Sequence, residues 1–317
     1  MKIRKAVWTA VAVTLAYVLA LLWVDSSSRV FAQVPRVAAA LPLLMAAALA
    51  SYAIRYVRWQ WLLRRVDVPI PLLRGWLAYL TGFAFTATPG KVGELVRIRY
   101  FLPFGVAPER VLAAFVFERA CDLVAVVLLA ALAIQDARLF VFLLAFVIAL
   151  LAAIGLLMAQ PRRLAALSAL LRLRGHFTSA RIVRTGAKGL AGCSDWLNPA
   201  DVLVGLLLGL LAWGLGALSF AWLLARLHIA LPFGIALSIY PTAMLAGAAS
   251  MVPGGIGTTE VTIAALLALN AVPIGTGALA AVAIRVSGLW FSVVCGLVAI
   301  GLLEHGSRPT RAAGRWS

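Results

Sequence analysis

Apolar residues along this chain run in long, largely uncharged blocks, with neither the strict alternation of a half-buried strand nor the narrow stripe of a surface helix. A helix needs about 20 apolar residues to cross a bilayer. Six blocks have that reach: Ala6 to Val24, Val37 to Ile54, Val111 to Ile134, Leu139 to Ala159, Val202 to Ala225 and Gly277 to Leu303. Hydrocarbon offers no hydrogen-bond partners, so backbone groups must pair within each block and the blocks are expected to be helices. Two further regions are apolar but broken. Gly75 to about Leu102 is split at TPGKVGE, and Pro232 to about Asn270 at VPGGIGTTE. Proline removes a helical N–H and glycine weakens a helix interior, so neither region reads as one continuous helix. Each is a loop between two ordinary spans or a re-entrant hairpin of two half-helices, a form tolerated where protein or a water-filled cavity covers the break.

Charge placement favours the hairpins. With both termini cytoplasmic and both broken regions re-entrant, only Arg29, Arg36, Arg138 and Arg226 fall outside, and Arg119 and Arg285 lie within spans. The remaining basic residues fall inside, the bias that orients membrane proteins. The expected fold is an all-α polytopic membrane protein with about six full spans and two re-entrant helical hairpins. Residues 1–160 form a first membrane repeat, whose final span (139–159) begins the second. Residues 161–198 are a basic, amphipathic or simply solvated cytoplasmic connector, 199–303 complete the second repeat, and 304–317 form a cytoplasmic tail. The basic start and apolar run of the N-terminus also suit a signal peptide. That run is long for a signal core, and no clear small-residue cleavage site follows it.

Composition agrees. Of 317 residues, 64% are hydrophobic and only 12% charged, with a mean hydropathy of +1.02; soluble domains carry roughly 25% charged residues. The net charge of +17 is read as loops facing anionic lipid rather than as a nucleic-acid surface, and no nucleic acid is expected as a partner. Cys121, Cys193 and Cys295 form no CxxC pair, and His176, His228 and His305 are isolated. No disulfide framework, metal site or cofactor is expected. Walker, dinucleotide-binding and HExxH motifs are absent from the sequence, and no enzymatic activity is expected.

The halves echo each other. Pro89, Gly90 and Gly93 match Pro253, Gly254 and Gly257, a glutamate follows each break (Glu94, Glu260), and Arg119 corresponds to Arg285. Under the topology above the second half starts from the opposite side of the membrane. That is an inverted repeat, an architecture that places binding sites at the repeat interface.

Few charges lie in membrane segments, and each is a functional candidate by default because burial there is costly. Glu118, Arg119 and Asp122 share one span in FERACD, with the two acids four apart on one face. Arg119 is placed to pair with them, and Arg285 to reach them from the other half. The group is either a structural ion-pair network or a polar centre that handles an anionic head group or a coupling proton. At the breaks, half-helix N-termini present free N–H groups to an anion. Gly90, Gly93, Gly254, Gly255 and Gly257 would let a ligand approach the backbone, or merely permit a turn. Lys91 and Arg97 add positive charge, Glu94 and Glu260 stand beside them, and Thr258 and Thr259 are candidate caps. Arg55 and Arg58, beside Trp59, Trp61 and Trp76, read as part of an interfacial belt.

TPGKVGELVR, FERACDLV and VPGGIGTTE resemble the lysylphosphatidylglycerol synthase transmembrane region family, a flippase-like family, over nearly the whole chain. The resemblance implies a lipid translocase role, with Glu94, Arg97, Glu118, Arg119, Asp122, Glu260 and Arg285 at the family's polar motif positions. The chain stops shortly after its last span, so the synthase chemistry of fused members is not expected. Its partners are then membrane lipids, an anionic phospholipid or a polyprenyl-phosphate-linked substrate, with an envelope-biosynthesis protein as a possible further partner, in a bacterial cytoplasmic (inner) membrane. A membrane enzyme acting on a lipid head group and a non-transporting accessory subunit are the alternatives.

Overall fold

A computed structural model of the protein describes residues 33–133 except 67, 161–175, 191–306, and the single positions 141, 145, 149, 183, 184, 187 and 189. The spans expected at Ala6 to Val24 and Leu139 to Ala159, much of the connector and most of the tail lie outside the described residues. All regular elements among the described residues are helical.

Helix α1 runs from Val34 to Arg64. The sequence reading ends its span at Ile54, yet the helix continues for almost three further turns. It does so because Arg55 and Arg58 are buried against carboxylates rather than repelled by the apolar surroundings. Helix α2 (Leu72–Thr81) tightens into a 3₁₀ turn at Gly82–Phe85. After the first break come a 3₁₀ segment, Pro89–Val96, and the short α3, Arg97–Phe101. The first broken region is therefore one ordinary helix followed by tight, short pieces rather than two matched half-helices. Helix α4 (Pro108–Ala130) starts on a proline, with Glu109 in its first turn. Both features suit a helix N-terminus. Helix α5 (Pro161–Leu173) occupies part of the connector.

Helix α6 (Pro199–Arg226) is capped by Asn198, whose side-chain oxygen accepts from the Asp201 amide. Helix α7 (Phe233–Ala249) leads into the second break, where Gly254 (φ 64°), Gly255 (φ 63°) and Gly257 (φ 84°) turn the chain. This left-handed region favours glycine because it lacks Cβ. Helices α8 (Thr258–Ala268), α9 (Ile274–Arg285) and α10 (Phe291–Gly306) follow, the last two joined through a π turn at Val286–Trp290.

Among the described residues, three helices are long and apolar enough to cross a membrane: Val34–Arg64, Pro199–Arg226, and the continuous run Ile274–His305. The expected spans at 37–54, 202–225 and 277–303 lie within them. The block at 111–134 is helical as expected through α4, with three charges at its middle.

The packing is reciprocal between the halves. Helices α1 and α6 lie against each other, α10 packs on α2 and its 3₁₀ extension, and α4 packs on α7. Each half thus covers the other's broken unit, and the two breaks themselves touch. Gly296 shows how tight this is: a Cβ there would stand 2.1 Å from the Ala84 amide nitrogen. Two apolar cores flank the contact. One, rich in aromatics, is built from α1, α2, α3 and α4 around Trp59, Tyr79 and Phe101. The other joins the start of α1 to α6, α7, α8 and α9 around Leu44, Phe220 and Ile263.

Candidate functional site

A cavity of about 200 Å³, mostly apolar in its lining but with charged side chains in its wall, lies where the two breaks meet. Helix α1 contributes Tyr52 and Arg55, the first break Lys91 and Glu94, α6 Trp213, the second break Gly254, Gly255 and Thr259, and α9 Arg285. The π turn completes the wall with Gly288, whose carbonyl accepts from the Tyr52 hydroxyl at 2.7 Å. Such turns are frequent at functional sites because they free backbone groups and re-aim side chains.

A buried ion-pair ladder runs from the first break to α6. Arg97 donates to Glu94 Oε2 at 2.6 Å and to the Glu94 carbonyl at 3.1 Å, while Thr86 donates to Glu94 Oε1 at 2.9 Å. The Arg97 guanidinium lies between the rings of Tyr79 and Trp59, 4.5 and 4.9 Å from their centroids. Its other amino group comes within 3.6 Å of Glu118 Oε2. Glu118 also accepts from the Tyr79 hydroxyl at 2.6 Å and from Arg58 at 3.0 Å. Arg58 reaches on to Asp122 at 2.8 Å and to the Gly205 carbonyl at 3.3 Å. Asp122 is shared further, with Arg55 at 2.9 Å and Arg119 at 3.1 Å. A buried charge is tolerable when paired and hydrogen-bonded in this way.

The second break has a smaller counterpart. Arg285 donates to Glu260 Oε1 at 2.7 Å and to the Gly254 carbonyl at 2.6 Å. In each half an arginine thus holds both the glutamate that follows the break and a backbone carbonyl of that segment. The family described as lysylphosphatidylglycerol synthase TM region matches residues 7–296. The chain belongs to this family. No curated protein matches it. As a member of the lysylphosphatidylglycerol synthase TM region family it is a membrane protein of a lipid-related type, and every charged residue of the ladder and of the second break falls inside the matched region.

The structure sorts the candidate residues of this family member. Lys91, Glu94, Gly254, Gly255 and Arg285 line the cavity. Arg97, Glu118 and Asp122 stand behind it in the ladder, and Arg119 joins them from a more open position with 21% of its side chain exposed. Arg285 pairs with Glu260 in its own half instead of reaching Glu118 or Asp122. Gly93 packs on its own break: a Cβ there would lie 2.5 Å from the Phe85 carbonyl oxygen, and its amide donates to Thr88 Oγ1. A Cβ at Gly257 would meet nothing within 4 Å, which leaves the start of α8 open. Gly90 belongs to the 3₁₀ segment of the first break. Neither threonine caps α8 through its side chain. Thr258 Oγ1 instead donates to the Gly255 carbonyl, and Thr259 Oγ1 is buried without a partner.

Arg55, Trp213, Tyr52 and Tyr240, which line the cavity, and Arg58 behind it were not legible as site residues. The arginines sit beside tryptophans at the end of an apolar block, which is also what an interfacial belt looks like. Their i, i+3 spacing, matched to the i, i+4 spacing of Glu118 and Asp122, is the signal that marks them. Of that presumed belt, Trp59 is buried in the core, and Trp61 donates to Asp201 at 2.9 Å near the start of α6.

Proposed function

We propose that the chain moves an anionic phospholipid or lipid-linked intermediate between the leaflets of a bacterial cytoplasmic membrane. Its head group occupies the cavity between the halves while its tails stay in lipid. Lys91 carries this reading. Its ammonium lies in the cavity wall with no carboxylate in ion-pair range among the described residues, whereas each neighbouring arginine stands against a carboxylate, with Asp122 shared by three of them. A cation left unmatched in a low-dielectric wall favours an anion as its partner. The reading includes an inverted repeat with both termini cytoplasmic and the breaks within the membrane thickness. It is supported by reciprocal packing and by the contact between the breaks.

Gentle purification followed by mass spectrometry of the retained lipids tests this. An anionic lipid enriched over its share of the membrane is expected, and its loss in Lys91→Met. Retention of lipids in bulk membrane proportions would count against the proposal.

A further inference from the structure

The charges around the cavity do not balance. Arg55, Arg58, Arg97, Arg119 and Arg285, with Lys91, face only Glu94, Glu118, Asp122 and Glu260. All four carboxylates are already engaged, and Asp122 serves three arginines at once. Asp195 and Asp201 are occupied elsewhere by Arg110 and Arg65. Two positive charges therefore remain without a counter-ion among the described residues.

The surplus has a location. Arg55 lies 4.7 Å and Lys91 5.6 Å from the centroid of the Trp213 ring, so two cations from the first half converge on one indole of the second. Trp213 is 92% buried, and its indole N–H has no hydrogen-bond partner. An unsatisfied buried donor calls for a missing acceptor. Lys91 reaches this place from a left-handed backbone (φ 57°) that L side chains rarely adopt, so its position is imposed by the break.

We infer that the cavity takes a phosphate monoester dianion, held among Lys91, Arg55 and the indole N–H of Trp213. This rests on the lipid-binding reading above and narrows its substrate class. A phosphodiester carries one negative charge. A monoester carries about −1.5 to −2 at neutral pH and offers three strong acceptor oxygens, which suits two surplus cations and the unpartnered Trp213 donor.

The test is equilibrium binding to the purified full chain at fixed ionic strength. The probes are short-chain phosphatidic acid (a lipid monoester), phosphatidylglycerol (a diester), phosphatidylcholine (zwitterionic) and glycerol 3-phosphate (a soluble monoester). Phosphatidic acid should bind about tenfold or more tighter than phosphatidylglycerol, the scale of one charged hydrogen bond. Lys91→Met and Trp213→Phe should each bring that ratio towards one, and Lys91→Arg should keep it. Trp213→Phe keeps an aromatic ring there while removing the donor and part of the indole's volume, so the test survives if Lys91→Met fails to fold. Equal binding of the two anionic lipids by the wild type, or an unchanged ratio in both variants, overturns the dianion site and leaves the lipid reading standing. Binding of phosphatidylcholine as tight as either anionic lipid overturns both. Glycerol 3-phosphate competing as well as phosphatidic acid keeps the dianion and overturns its assignment to a lipid.

Discussion

Arg58 and Asp122, sixty-four positions apart, meet at 2.8 Å in the interior, and Arg58 has only 1% of its side chain exposed. The same amino group holds Glu118, so removing this arginine strips two buried carboxylates at once. Arg58→Met should lower stability by about 3–5 kcal/mol, the usual cost of breaking a buried pair from one side. Arg119→Ala should cost only about 1 kcal/mol, because its contacts to Glu118 (3.4 Å) and Asp122 (3.1 Å) are longer, its side chain is more exposed, and both acids keep Arg58. Chemical unfolding of both variants in detergent measures the contrast; equal losses would show that the ladder is not centred on Arg58.

The second break is held by fewer contacts and behaves as a pair. Arg285→Leu leaves Glu260 buried, 5% exposed, with no other cation in ion-pair range among the described residues. Adding Glu260→Leu should restore part of the stability, since an apolar replacement of both partners avoids the unpaired charge. A double-mutant cycle on melting temperature reads this directly. If the double variant is weaker than Arg285→Leu alone, the Gly254 carbonyl contact matters more than the ion pair.

Helix α10 offers a test of the packing between halves that involves no charge. Gly296→Ala places a methyl against the Ala84 backbone and should destabilise by about 1–3 kcal/mol, as overpacked interfaces do. Gly301→Ala, on the same helix, meets nothing within 4 Å and should be neutral or stabilising by up to about 1 kcal/mol through helix propensity. Similar melting temperatures for the two would show that α10 does not press on the first broken unit.

Much of this was legible in the chain. Apolar block length located α1, α6 and the α9–α10 run, and the Pro-Gly breaks marked the two segments that meet at the cavity. Glu118 and Asp122 were found because a carboxylate in an apolar block is costly and must have a partner, whether its role is structural or functional. Arg55 and Arg58 were missed because a basic residue near the end of a span usually reaches water, and the sequence does not say which way a helix end turns. Trp213 is one apolar residue among many in its block, and only the arrival of two cations from the other half distinguishes it. The same limit explains Arg285: the repeat marks it as the counterpart of Arg119, but the partner each arginine takes depends on how the halves pack.

The proposed function requires that an anionic lipid cross the membrane through this cavity. Purified protein reconstituted into vesicles, with a fluorescent anionic lipid whose inner and outer leaflet populations are read by a membrane-impermeant quencher, measures it most directly. Wild-type protein should exchange the lipid between leaflets far faster than protein-free vesicles, and Lys91→Met, compared at equal amounts of folded protein, should slow it by about tenfold or more. Exchange no faster than in empty vesicles, with the protein correctly folded and an imposed proton gradient making no difference, would contradict the claim.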